Sequence, residues 1–207
     1  MKNQWGSELS EKENFRAMVL GSFLTSVLIV TFFYLSVFFD MPEASLGPFL
    51  ISMALTVVAT LAVFKLGKVP EAVTLVVLGS SLGALLGVAM PTTSAITILL
   101  ALSLYDIYAV HKGPVGKMVG SVVSKELKPL LLYFKGVHIG LGDLVFYSFL
   151  IAHTTFYLGP LPALASIVGV SVGSFISFKL LEVEKMIPGL PISLTLGLIL
   201  AFLIKAL

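Results

Sequence analysis

Uncharged apolar runs recur along the chain, separated by short polar or proline- and glycine-bearing breaks. A hydrocarbon core about 30 Å thick takes roughly 20 apolar residues per helix. The runs 17–39, 44–64, 72–90 and 186–204 meet that length. The run from Ala72 to Tyr105 is too long for one span and breaks at Met90-Pro91-Thr92-Thr93, which predicts a helix over 92–110. The stretch 144–178 divides likewise at Gly159-Pro160-Leu161-Pro162, predicting helices over 140–158 and 161–180. The pattern thus predicts an all-α polytopic transmembrane bundle of seven helices spanning 17–207. A membrane β-barrel is a poor fit, because its strands alternate in polarity and these segments are continuously apolar.

Composition agrees: 57% of the 207 residues are hydrophobic and only 12% charged, a balance that would leave a soluble domain with a largely apolar surface. There is no cysteine, so disulfides, thiol catalysis and thiolate metal sites are excluded. Residues 1–16 are polar and mixed in charge, and read as a cytoplasmic tail. They lack the apolar core of a cleavable signal peptide, so the first span is expected to act as its own insertion signal. Twelve of the 13 basic residues fall on one side of the predicted topology, leaving Lys205 on the other. The positive-inside rule then puts the N-terminus in the cytoplasm and the C-terminus outside. The long connection 111–139 is cytoplasmic and carries five lysines, read as a rim facing anionic lipid. Its apolar stretch 129–134 is too short to span and is expected in the interface or capping the bundle.

Two acids change the picture. Of eleven Asp and Glu residues, Asp106 and Asp143 alone fall inside spans. An acid at a helix centre costs on the order of 2.5–3.5 kcal/mol on insertion scales, so it faces the bundle interior and carries a function, or else is a protonated structural acid. Asp106 precedes His111 by five residues, roughly 7–8 Å of helix, and Asp143 lies close to the start of the helix that leaves the same loop. Both are therefore placed at similar shallow depth on the cytoplasmic side. Two carboxyl groups about 3 Å apart cannot both ionise readily, so one keeps a proton. The protonated acid can polarise a peptide carbonyl while its partner takes a proton from water, which is aspartic-protease chemistry. Gly140 and Gly142 present no side chain to an approaching backbone, or else mark close helix packing. Tyr105 and Tyr108 are candidates to hydrogen-bond the acids or to pack, packing being favoured for Tyr108.

Tyr105-Asp106 in one span and Gly140-Leu141-Gly142-Asp143 in the next resemble the YD and GxGD motifs of the presenilin and signal peptide peptidase family of intramembrane aspartyl proteases, archaeal members most closely. The resemblance covers essentially residues 17–207. It implies catalysis by Asp106 and Asp143 and substrate contacts from Tyr105, Gly140, Leu141 and Gly142, without metal or other cofactor. It also implies an archaeal cell membrane as location and transmembrane proteins or peptides as substrates. The family carries a Pro-Ala-Leu motif before its last helix. Pro162-Ala163-Leu164 matches literally but is predicted across the bilayer from the acids. Pro188-Gly189-Leu190-Pro191 has Gly for Ala, yet opens the last helix on the acids' side, and is taken as the working substrate-binding motif. Its two prolines keep the segment out of a regular helix, and its backbone groups are expected to be free to pair with an unwound substrate. Family members usually have nine spans, with YD in the sixth and GxGD in the seventh. Here the motifs occupy the fourth and fifth.

The remaining features point elsewhere. Gly79, Gly83 and Gly87, and Gly169 with Gly173, form small-residue ridges for tight helix contacts or for a second copy of the chain. His153 is expected as a hydrogen-bonded histidine toward the outer leaflet. His111 and His138 make a poor metal-site argument. Nothing suggests a phosphate loop or a nucleic-acid surface. Two other functions use the same acids: a proton-coupled transporter or channel, and a prepilin-peptidase-like membrane aspartyl protease.

Overall fold

The computed structural model describes residues 2–39, 46–111, 131–134, 137–181 and 188–207. The chain divides into two compact units, Met1–Thr74 and Leu75–Leu207. In the first, α1 (Lys2–Phe38) and α2 (Leu46–Phe64) pair antiparallel. Phe23 meets the Phe64 ring edge-on at 6.1 Å and Phe32 meets Phe49 at 6.3 Å, so the register runs in opposite directions along the two helices. Pro48, Ser52 and Thr56 form the buried stripe of α2. The Thr56 hydroxyl donates to the Ser52 carbonyl at 2.7 Å, which keeps it satisfied away from water. The polar segment expected as a tail is helical from Lys2 onward. It contains no proline to interrupt a helix. Gly67, with φ 101°, makes the turn into α3 (Lys68–Ala89).

The second unit holds the rest of α3, then α4 (Thr92–His111), a hairpin of β1 (Leu131–Phe134) and β2 (Val137–Gly140), α5 (Leu141–His153), a π-helical turn (Thr154–Leu158), α6 (Pro160–Leu181) and α7 (Leu190–Ala206). Among the described residues there are thus seven α-helices, as the hydropathy pattern predicts, and five are long and apolar enough to span a bilayer. The chain is a multi-pass membrane protein. Alpha5 is only 13 residues, and its five-residue π extension brings it to spanning length before Gly159, with φ 103°, turns the chain into α6. The apolar stretch expected in the interface or capping the bundle contains a strand: Leu131–Phe134 pairs antiparallel with Val137–Gly140, Leu131 opposite Gly140. Pairing satisfies backbone groups that an isolated apolar loop would leave bare. The rest of the 111–139 connection, with its lysines, and the side chains of His111 and His138 lie outside the described residues.

Lipid tails are as apolar as leucine, so helices in a membrane associate through close packing rather than expulsion of water. Small residues carry that packing here. Gly83 and Gly87 of α3 lie on the α5 backbone at Val145 and Phe149, and Gly79 lies against the Leu141 side chain. Gly169 and Gly173 of α6 lie on the α7 backbone at Gly197 and Ser193. These glycines make their contacts within the chain. Leu99, Phe149, Leu150, Val170, Leu190, Leu194 and Leu198 fill the space where α4, α5, α6 and α7 meet. His153 pins the α3–α4 turn from α5. Its Nδ1 lies 2.8 Å from the Gly87 carbonyl, which can only accept, and its Nε2 lies 3.2 Å from the Thr92 hydroxyl.

Candidate active site

Asp143 owes its position to local structure. Strand β2 ends at Gly140, which is the extended N-cap of α5 (φ −70°, ψ 138°). Asp143 is then the third residue of the helix, and its carboxylate accepts a hydrogen bond from the Gly140 N–H. This is the returning half of a capping box, in which a side chain at that position satisfies the cap's own orphan donor. The Gly140-to-Asp143 spacing is therefore a helix-start geometry as well as a motif.

Asp106 is placed by tertiary structure. It sits half-buried just over one turn from the end of α4, and its Oδ2 accepts from the Leu190 N–H at 3.1 Å. The Gly189 N–H is a second backbone donor to it. The Asp143 carboxylate reaches the same turn: a Cβ added at Gly189 would lie 3.3 Å from Asp143 Oδ2. The two acids, from sequence-adjacent helices, therefore converge on Pro188-Gly189-Leu190 and lie within electrostatic reach of each other.

Helix α7 begins at Leu190, and the described residues before it, Pro188 and Gly189, form a turn outside the helix. Pro191 occupies its first turn, where the missing N–H is harmless. The backbone groups at Gly189 and Leu190 are not free, contrary to the expectation that they stand ready to pair with a substrate. The N–H groups serve Asp106, and the Gly189 carbonyl is met by the Tyr147 hydroxyl at 3.1 Å and the Ser193 hydroxyl at 3.1 Å. Tyr147 and Ser193 are partners that the motifs did not reveal. Their signal was helical spacing: Tyr147 follows Asp143 by one turn, and Ser193 follows Gly189 by one turn.

The other predicted residues separate. Gly140 and Gly142 lie beside Asp143, and Gly142 is exposed, with only the Phe146 ring within 4 Å of where a Cβ would stand. Leu141 turns away onto α3 at Gly79. Leu190 points its side chain into the helical core while its N–H serves Asp106. Pro188 and Pro191 are half-buried at the turn. Tyr105 and Tyr108 are 62% and 58% exposed, and neither makes a hydrogen bond to the acids among the described residues. Pro162-Ala163-Leu164 opens α6, beyond the far end of α5 and its π extension, roughly 22 Å of helix from Asp143.

Residues 125–207 match the model of the presenilin family. That part of the chain is presenilin-like. It contains Asp143, Tyr147, the Pro188–Pro191 turn and Ser193. A presenilin homolog of Drosophila melanogaster is 37% identical over 73 residues, 35% of this chain and 14% of that protein. Presenilin-B of Dictyostelium discoideum is 30% identical over 124 residues, 55% of this chain and 26% of that protein. The matched stretches thus span about a seventh and a quarter of these relatives. A solved presenilin family intramembrane aspartate protease superposes with a TM-score of 0.68 at 15% identity, covering 92% of this chain and 73% of that one. The likeness in fold accordingly extends well beyond the residues that the family model matches.

Proposed function

We propose that the chain is an intramembrane aspartyl protease that cuts transmembrane helical substrates with an Asp106/Asp143 dyad and water. The observation that carries this reading is the convergence of both carboxyl groups on the single Gly189–Leu190 turn. With one proton shared between the acids, the ionised member takes a proton from water as the water oxygen adds to the peptide carbonyl. The protonated member gives its hydrogen to the carbonyl oxygen. Collapse of the resulting diol breaks the C–N bond as nitrogen takes the first proton, and the second returns to its acid. Gly142, exposed beside Asp143, leaves room for a substrate backbone. The positive-inside pattern has water arriving from the cytoplasm.

Opening a substrate helix bares amide groups in lipid, which costs several kcal/mol for each unsatisfied group. Substrates are therefore expected to carry Gly, Pro or other helix-weakening residues near the cut. The test is cleavage of a fluorescent transmembrane peptide by purified protein, with Asp106→Asn and Asp143→Asn as controls and a hydroxyl-bearing transition-state mimic as inhibitor. Cleavage lost in both variants and blocked by the mimic supports the protease. No cleavage by the wild-type chain, with proton flux in liposomes that needs the same acids, would favour a transporter instead.

A further inference from the structure

The carbonyl of Gly189 and the N–H of Leu190 belong to one peptide group. On its oxygen side, Tyr147 Oη, Ser193 Oγ and Gly189 O form a triangle with every edge 3.1 Å. Ser174 Oγ of α6 joins Ser193 at 3.2 Å. On its nitrogen side, the same group donates to Asp106 Oδ2 at 3.1 Å. Ser193 is fully buried, so these polar atoms have no water to fall back on. The peptide plane is thereby held from α5 and α7 at one end and delivers a donor to α4 at the other. A hydrogen bond accepted by an amide oxygen polarises the amide and strengthens its N–H as a donor.

We propose that Tyr147 and Ser193 are positioning residues that set the Asp106 carboxylate through the Gly189–Leu190 peptide group. The role rests on the protease reading for its consequence, because Asp106 matters to rate only if the dyad is catalytic. It needs no contact between either hydroxyl and substrate. Tyr147 stands one helical turn from Asp143, so the same side chain that anchors the turn is carried by the helix of the other acid. The relay thus ties the two carboxyl groups to one rigid frame.

The test has a spectroscopic and a kinetic arm, both on the full chain in lipid. The sequence contains three Gly-Leu pairs, 140–141, 189–190 and 197–198, so labelling Gly carbonyl carbon and Leu nitrogen isolates three amide signals. Asp106→Asn identifies the Leu190 signal by moving it. Tyr147→Phe removes only a hydroxyl. It is expected to shift Leu190 upfield, leave Leu198 in place, lower kcat about tenfold and leave KM within about twofold. Tyr147→Phe/Ser193→Ala should enlarge both the shift and the loss of kcat. An unmoved Leu190 signal in the double variant, or a loss confined to KM, overturns the proposal. If Tyr147→Phe does not fold, Ser193→Ala probes the same carbonyl from the other hydroxyl and is read by the same criteria. A wild-type chain that cleaves nothing defeats the protease reading and with it the kinetic role, whereas the Leu190 shift reports on the relay independently.

Discussion

The contact between α3 and α5 places Asp143, and one methyl group should reveal how closely. A Cβ built on Gly83 lies inside the Val145 carbonyl oxygen, 2.9 Å from the Val145 carbonyl carbon and 3.0 Å from the Phe149 nitrogen. Carbon atoms normally rest about 3.5–4.0 Å apart, and the carbonyl oxygen lies closer still, so Gly83→Ala must push the helices apart by about 1 Å. The atoms it meets are backbone, which has no rotamer to yield. Overpacking of this kind costs about 1–3 kcal/mol. Val145 is two residues from Asp143, so the same displacement reaches the acid. A misplacement of about 1 Å can lower a rate by roughly 10²-fold. Gly83→Ala should therefore lose much more activity than stability: a modest fall in the thermal midpoint in detergent beside a loss of about two orders of magnitude in peptide cleavage. Gly21→Ala, where nothing lies within 4 Å of the new methyl, is the control and should match wild type in both measurements. A Gly83→Ala protein as stable and as active as wild type would refute the argument, since the two helices could not then be in backbone contact.

Other outcomes follow from the same atoms. Gly142→Ala should fold normally, because its methyl meets nothing nearer than the Phe146 ring at 3.9 Å, yet reduce kcat/KM for a transmembrane peptide by about tenfold by narrowing the approach to Asp143. Gly189→Ala restores the residue found in the family motif and sets its methyl 3.3 Å from Asp143 Oδ2, a contact that a small carboxylate rotation relieves. Cleavage should stay within about threefold of wild type, and a complete loss would mean that the carboxylate cannot move. His153→Ala leaves the Gly87 carbonyl and the Thr92 hydroxyl without that partner. It should cost about 1–3 kcal/mol in thermal or denaturant unfolding while cleavage below the melting range changes little, because the ring lies ten residues along the helix from Asp143.

Some of this was written in one dimension. Lipid solvates apolar side chains and must not meet bare amides, so span number and approximate limits follow from hydropathy alone. The same cost makes Asp106 and Asp143 conspicuous, because an acid inside a span needs a reason. Glycine ridges at four-residue spacing announced close helix contacts, and the GxGD spacing is local, being the start of one helix. What the pattern could not convey is azimuth and partnership. Tyr105 adjoins Asp106 in sequence, yet successive residues on a helix point about 100° apart, and the ring ends 62% exposed while the carboxylate turns inward. Leu141 sits between two glycines of the motif and packs onto another helix. Residues 129–134 read as apolar and too short to span, but only a pairing partner made 131–134 a strand.

The sequence by itself determined a multi-pass helical membrane protein with two acids near the same end of adjacent spans, since burial in lipid is decided residue by residue. Only the tertiary structure decided that both acids reach the Gly189–Leu190 turn, and that Tyr147 and Ser193 hold its peptide group from behind. Those contacts join residues up to 84 positions apart. No local propensity records them, because they arise only when separate helices pack closely enough for a buried donor to require an acceptor.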